Sequence, residues 1–243
     1  MAESYADIAK MIDHALLTPA LPVDELEAGC RMALAYDVAS VCILPYYLRR
    51  AADLLAGSTV LPSTVIGFPQ GGQVTAVKRF EAEVALADGG RELDMVVNVS
   101  QALSGDWRYV EADIAAVVQV THAAGQRVKV IFENCYLQDE HKRRLCEICG
   151  GLGVDWVKTS TGFGSSGATL DDVRLMREHS PPEVQVKAAG GVRDLETLLQ
   201  FRELGATRIG TSRTAEILDG LRVKLGLPAV KVEGAGRGSS VGY

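Results

Sequence analysis

Residues 184–213 read Val-Gln-Val-Lys-Ala-Ala-Gly-Gly-Val-Arg-Asp-Leu-Glu-Thr-Leu-Leu-Gln-Phe-Arg-Glu-Leu-Gly-Ala-Thr-Arg-Ile-Gly-Thr-Ser-Arg. An apolar run closing on Lys187 gives way to paired glycines and then to a stretch of helical period over 195–204. Gly205 follows, and a second apolar run over 207–210 leads into Thr211-Ser212-Arg213. A short run, a helix period and a short run again is the pattern of two parallel strands joined by a crossover helix. The alternation extends to both ends of the chain. Strands are expected at 11–17, 40–44, 64–67, 93–98, 128–132, 155–158, 185–187 and 207–210. Amphipathic helices are expected at 23–36, 48–56, 74–87, 109–123, 139–150, 170–178, 195–204 and 215–225. Glycines at 89–90, 125, 150–151, 153 and 205 stop helices just before the next strand. Eight such βα pairs without a composition break predict an α/β fold, a single-domain (β/α)8 TIM barrel over 1–225. The Gly/Ser-rich segment 226–243 reads as a flexible tail. An open doubly wound sheet is the alternative, but it would be expected to show an early Gly-x-Gly-x-x-Gly, which this chain lacks.

Composition narrows the function. The chain has 243 residues, 47% hydrophobic and 23% charged, enough to fill and cover one large core. A net charge of −6 with no basic block argues against nucleic acid, since phosphate neutralisation needs clustered Lys and Arg. No apolar run approaches the roughly 20 residues that span a bilayer, and the opening Met-Ala-Glu-Ser-Tyr-Ala-Asp lacks a signal-peptide pattern. A soluble, cytoplasmic protein is expected. Five cysteines, an odd set, favour reduced thiols. Cys146-x-x-Cys149 lies in a helical stretch with no second pair to complete a tetrahedral metal site, so helix packing is the expected role.

The chemistry gathers at predicted strand ends, where barrel enzymes place their sites. Lys158 closes the run in Val-Asp-Trp-Val-Lys-Thr-Ser-Thr-Gly-Phe-Gly (154–164), and Lys187 closes the next one. A lysine stripped of water by apolar packing is pushed towards its neutral, nucleophilic form, the requirement of Schiff-base catalysis. Asp94, Asp13 and Lys129 are further charges in strand-like surroundings. Charges on predicted strands one, four, five, six and seven point to a shared polar centre at one barrel mouth; structural salt bridges are the plainer alternative. Separately, Gly190-Gly191-Val192-Arg193 and Gly210-Thr211-Ser212-Arg213 each lead from a strand into a helix. Loops after strands seven and eight commonly bind phosphate, because glycines expose backbone N–H groups and a helix start favours an anion. Ser212 supplies a hydroxyl there, and Arg193 or Arg213 a charge.

The ordered set Ile-Asp-His-Ala-Leu-Leu-Thr-Pro (12–19), Val-Cys-Ile-Leu-Pro (41–45), Val-Ile-Gly-Phe-Pro (65–69) and Glu-Leu-Asp-Met-Val-Val-Asn (92–98) resembles the deoxyribose-phosphate aldolase family. So does its continuation in Lys-Val-Ile-Phe-Glu (129–133), Val-Lys-Thr-Ser-Thr-Gly-Phe (157–163), Val-Lys-Ala-Ala-Gly-Gly-Val-Arg (186–193) and Arg-Ile-Gly-Thr-Ser (208–212). The resemblance implies a class I aldolase that reversibly cleaves 2-deoxy-D-ribose 5-phosphate to D-glyceraldehyde 3-phosphate and acetaldehyde, in deoxyribose phosphate catabolism. It implies Lys158 as the Schiff-base lysine, Lys187 as the lysine that tunes it, and Asp94 as the acid/base of a proton relay supported by Asp13 and Lys129. Gly162, Gly190, Gly191, Gly210 and Ser212 match its phosphate pocket, with Arg213 beside them. Tyr243 matches a terminal tyrosine that aids proton transfer in some members. No metal or other cofactor is called for, since the iminium takes the place of a Lewis acid. Partners would be small phosphosugars and aldehydes, and a homodimer or higher homo-oligomer is expected. Ala15, Asn134, Gln70-Gly71-Gly72 and Arg213 depart from the family pattern. A class I aldolase or isomerase for another phosphosugar, and a non-catalytic phosphosugar-binding barrel or interaction protein, are the competing readings.

Overall fold

The computed structural model describes residues 4–232 of the chain; Tyr243 and the end of the expected tail lie outside them. Eight parallel strands close into a barrel in chain order: β1 Ile12–Leu16, β2 Ser40–Ile43, β3 Leu61–Ile66, β4 Glu92–Val96, β5 Arg127–Ile131, β6 Trp156–Lys158, β7 Gln185–Ala189 and β8 Ala206–Thr211. β1 pairs with β8, placing Asp13 opposite Gly210, so no strand edge is left open. Among the described residues the helices are α1 Tyr5–Ala9, α2 Val23–Tyr36, α3 Leu48–Leu54, α4 Thr75–Ala87, α5 Val99–Leu103, α6 Trp107–Ala123, α7 Asp139–Gly151, α8 Leu170–His179, α9 Leu195–Glu203 and α10 Thr214–Lys224. The (β/α)8 architecture is the expected one, with α1 and α5 as additions. Each is a five-residue helix, too short for a 3.6-residue period to show in sequence.

Two layers of packing divide the side chains of each strand. Outward residues such as Ile12, Val41, Ile43, Leu93, Met95, Val128, Val130, Val186 and Ile209 join the main apolar core beneath the helices. Inward residues at the C-terminal mouth include Cys42, Val65 and, just past β1, Leu17, in a small separate apolar cluster. Below it the interior is charged: Asp13, Glu92, Asp94, Lys129, Lys158, Lys187 and Arg208 are all buried. Trp156 fills the space under these charges, with the guanidinium carbon of Arg208 4.8 Å and the Lys129 nitrogen 5.6 Å from its ring centre. An aromatic face there offsets part of the cost of removing cations from water.

Local sequence explains the junctions. Asp106, Thr169 and Asp194 cap α6, α8 and α9, each accepting a backbone N–H three residues on. Cys146 and Cys149 lie on the buried face of α7, and burial raises both thiols, Cys146 to about 11. They are packing residues, as the sequence reading held. In 226–232, the Pro228 carbonyl accepts from Arg222 Nε at 2.7 Å, and Val230 and Val232 pack against the core. Among the described residues no helix is long and apolar enough to cross a membrane.

Candidate active site

Strand register brings the charged residues together. Asp94 lies opposite Lys129, and Lys158 opposite Lys187, on adjacent strands. One carboxylate oxygen, Asp94 Oδ2, accepts from both Lys158 Nζ at 2.8 Å and Lys187 Nζ at 2.7 Å. The two nitrogens are therefore no further apart than the sum of those distances. The other oxygen, Asp94 Oδ1, accepts from Lys129 Nζ at 2.8 Å. Lys187 also donates to Asp13 Oδ2 at 2.5 Å, and Lys129 lies 3.5 Å from that same oxygen. All five charged residues singled out in the sequence meet in one network.

Two further members were not anticipated. Arg208 donates to Asp13 Oδ1 at 2.5 Å and to Glu92 Oε2 at 2.7 Å, while Glu92 lies 2.6 Å from Lys129 Nζ. A signal was present, since Glu92 is two residues before Asp94 and Arg208 two before Gly210. Residues two apart on a strand share a face.

Electrostatics separates the two candidate lysines. Lys129 faces three carboxylates (Asp13, Glu92 and Asp94) and Lys187 faces two, but Lys158 has only the shared Asp94. If all seven groups were ionised, four cations would face three carboxylates. Releasing the Lys158 proton removes that buried excess. Half-exposed Arg127 adds a further positive charge beside Glu92, in the same direction. Burial lowers the Lys158 pKa below that of an ordinary lysine; Asp94 opposes this and the Lys187 ammonium reinforces it. Burial also disfavours charge on Lys187, but Asp13 and Asp94 outweigh it and leave that pKa raised. The Asp94 carboxyl would likewise be raised by burial, yet Lys129, Lys158 and Lys187 hold it well below the usual carboxylate range. The arrangement supplies one readily deprotonated amine beside a permanent cation and an ionised acceptor.

A cleft opens above this network. It is lined by Lys158, Lys187, Ala15, Cys42, Thr161 and Gly162, and by Gly190 to Arg193 and Gly210 to Arg213 from the loops after β7 and β8. The residues expected to hold phosphate thus line the same cleft as the two lysines. Thr211 Oγ1 donates to the Val192 carbonyl at 2.7 Å and accepts from Arg213 N, locking the two loops together. Gly190 has φ +83°, and a Cβ there would meet Gly167 Cα at 2.8 Å, so this position requires glycine. Arg213 is engaged by Glu216 at 2.8 Å, which tempers its expected charge, whereas Arg193 forms no ion pair among the described residues.

Several departures acquire reasons. Ala15 lines the cleft, so a missing hydroxyl there changes the wall itself. Asn134 is buried, with Nδ2 3.3 Å from Met176 Sδ on α8. Gly71 has φ +68° and a Cβ there would fall 1.9 Å from the Val97 carbonyl oxygen, so the unusual Gln-Gly-Gly suits a close backbone crossing. Glu133, quoted only as part of a motif, is buried and accepts from the backbone N and hydroxyl of Thr161, anchoring the loop after β6.

Residues 7–213 match the family described as DeoC/LacD family aldolase. The chain is 63% identical over 239 residues, 98% of each chain, to the deoxyribose-phosphate aldolase of Rhodopirellula baltica. It is 48% identical to that of Thermococcus gammatolerans, covering 89% of this chain and 97% of the relative. The tetrameric deoxyribose phosphate aldolase of Aeropyrum pernix superposes with a TM-score of 0.83 at 30% identity, covering 90% of this chain and 92% of the other. This chain is an enzyme and belongs to the DeoC/LacD family of aldolases.

Proposed function

We propose that this aldolase acts on 2-deoxy-D-ribose 5-phosphate, cleaving it reversibly to acetaldehyde and D-glyceraldehyde 3-phosphate through a Schiff base on Lys158. The single observation that carries the reading is the Asp94 oxygen shared by two buried lysines, of which only Lys158 is shifted towards its neutral form. Neutral Lys158 Nζ adds to the C1 aldehyde of the open-chain sugar to give a carbinolamine, and loss of water gives the iminium. With the C3 hydroxyl deprotonated, the C2–C3 electron pair moves towards the iminium nitrogen and leaves an enamine. The three-carbon phosphorylated aldehyde departs. Protonation of the enamine carbon and hydrolysis then release the two-carbon aldehyde and restore the amine.

Lys187 keeps its proton and holds the Lys158 pKa down. Asp94, hydrogen-bonded to both lysines, exchanges protons at the carbinolamine and enamine stages. Asp13 and Lys129 hold Lys187 and Asp94 in place. The phosphate lies against Gly162, Gly190, Gly191, Gly210 and Ser212, with Arg213 beside them; the presence of all six in the lining of the cleft that holds Lys158 and Lys187 supports this. Residues 1–225 act as one catalytic unit, and assembly into a homodimer or larger homo-oligomer is supported by the tetrameric relative.

Trapping tests the reading. Borohydride added with acetaldehyde is expected to leave a reduced two-carbon adduct on the Lys158 peptide. An adduct on Lys187 reverses the assignment of the two amines, and no adduct on either removes the Schiff base.

A further inference from the structure

The mouth of the barrel is divided in two. Phe68, in the loop after β3, meets Phe163, in the loop after β6, edge to face, with ring centres 5.3 Å apart and planes at 90°. On one side of this contact lie β4 and β5, and on the other β7, β8, β1 and β2. The cleft already described belongs to the second group, with Thr161 and Gly162 contributed by the loop after β6. A separate cavity occupies the β4–β5 half. Its lining includes Pro69 after β3, Val99 and Leu103 on α5, Tyr136 after β5, and Phe163 itself. Its volume, about 670 Å³, is that of a small-molecule pocket.

The two halves differ in chemistry. Arg193 and Arg213 join glycines and hydroxyls around the cleft, whereas among the described residues no lysine or arginine lines the second cavity. Leu103 and Tyr136, both half-exposed, make its rim apolar. The aromatic pair stands where the halves meet. Phe68 packs on Leu17, Cys42 and Val65; Leu17 and Cys42 line the cleft, while Pro69, the next residue, lines the cavity. Gly162 likewise lines the cleft, and Phe163 the cavity. Thr161 lines both. Its hydroxyl accepts from Phe163 N at 3.0 Å and is itself held by Glu133, which fixes the backbone that carries the ring. Lys158 ends β6, at one end of the dividing line, so an aldehyde joined to it is positioned next to both halves.

We infer that Phe68 and Phe163 form a partition that selects the aldehyde acceptor, confining it to the cleft and excluding unphosphorylated aldehydes with long alkyl chains. This rests on the Schiff-base reading above and adds to it the element that sets acceptor specificity. In the synthetic direction the enamine carbon on Lys158 bonds to the aldehyde carbon of the acceptor. The acceptor oxygen takes a proton, and hydrolysis of the iminium frees the aldol. D-glyceraldehyde 3-phosphate extends towards the glycine loops. An alkyl aldehyde has no anion to hold it there, and the rings shut off the apolar half that would bury its chain. It forfeits the roughly 10–200-fold that a methylene is worth in an apolar pocket.

A comparison of two acceptors, with acetaldehyde as donor, tests the partition. Phe163→Ala joins the cleft to the cavity. Its kcat/KM for hexanal is expected to rise roughly tenfold or more, both in absolute terms and relative to D-glyceraldehyde 3-phosphate. Phe163→Tyr keeps a ring at the contact and is expected to keep the native ratio. Phe68→Ala removes the same contact from the β3 side and is expected to give the same rise, which keeps the test decisive if Phe163→Ala does not fold. An unmoved ratio overturns the partition. So does equal loss of both acceptors, the mark of a merely loosened loop, and so does a ratio that rises only through loss of the phosphorylated acceptor. In each of these cases the borohydride adduct on Lys158 still stands. If the native chain traps no acetaldehyde, the Schiff base and the partition fall together.

Discussion

Lys158 and Lys187 occupy equivalent register positions on neighbouring strands and share a carboxylate oxygen, yet their proton affinities move in opposite directions. The difference lies in how many carboxylates each one meets. Lys187→Met removes the cation that disfavours charge on Lys158 and leaves Asp94 to stabilise the Lys158 ammonium. The Lys158 pKa then rises, and the ascending limb of kcat/KM against pH moves to higher pH. Each unit of that movement costs about tenfold in neutral amine at pH 7; a limb that stays in place removes Lys187 from the tuning of Lys158. Asp94→Asn is expected to retain borohydride trapping while kcat falls by roughly 100–10,000-fold, the usual worth of a positioned acid/base. Unchanged turnover would exclude Asp94 from proton transfer. The sequence showed that both lysines belong near one centre. Spacing alone could not say which of them loses its proton more readily, because that depends on Asp13, which reaches Lys187 across 174 positions of sequence and does not reach Lys158.

Among the elements, strands and long helices were legible because burial on one face repeats at two or 3.6 residues. Boundaries were less so. β3 begins at Leu61, three residues before the expected start, although Pro62 cannot donate a ladder hydrogen bond. Pro62 is accommodated near the entry of the strand, where its carbonyl accepts from Arg91 N at 2.8 Å. The loops proposed to hold phosphate were visible as glycines following two predicted strands, but the closeness of Gly190 to Gly167 was not, since that contact joins separate loops. Gly190→Ala places a methyl group where Gly167 Cα already lies and opposes the positive φ. KM for the phosphorylated sugar is expected to rise about tenfold or more, with much less change for unphosphorylated deoxyribose, since a phosphate held by charge-assisted contacts is worth more than the sugar hydroxyls. Equal losses for both would argue that this wall does not hold phosphate.

At the scale of the whole molecule, closure of the barrel was inferred from length and the count of βα pairs, and the β1–β8 pairing realises it. The polar centre was expected from five strand charges, but not its extension by Glu92 and Arg208, which ties the closing strand into it. Arg208 reaches Asp13 across 195 positions of sequence and Glu92 across 116. Arg208→Met leaves two buried carboxylates short of a partner and is expected to cost about 3–5 kcal/mol, a drop in Tm of roughly 6–20 °C for a chain of this size. A Tm within two or three degrees of native, roughly 1 kcal/mol, would show that the interior does not depend on this pair. The pH sign follows from the carboxylates. Asp13 would be raised by burial but is held well below its ordinary pKa by Arg208, Lys129 and Lys187, so its stabilisation is complete above about pH 4 and is lost on acidification. In Arg208→Met the folded pKa of Asp13 rises towards its ordinary value and this contribution shrinks, measurable, with the lower overall stability, as an acid unfolding midpoint moved upward.

The strand that carries Arg208 is also the last to be synthesised. Until β8 emerges from the ribosome and zips to β1, Lys158 belongs to an unfinished chain and has the chemistry of any solvated, protonated lysine. The lowered proton affinity of Lys158 is thus a property of the closed barrel, acquired only once β8 has docked on β1.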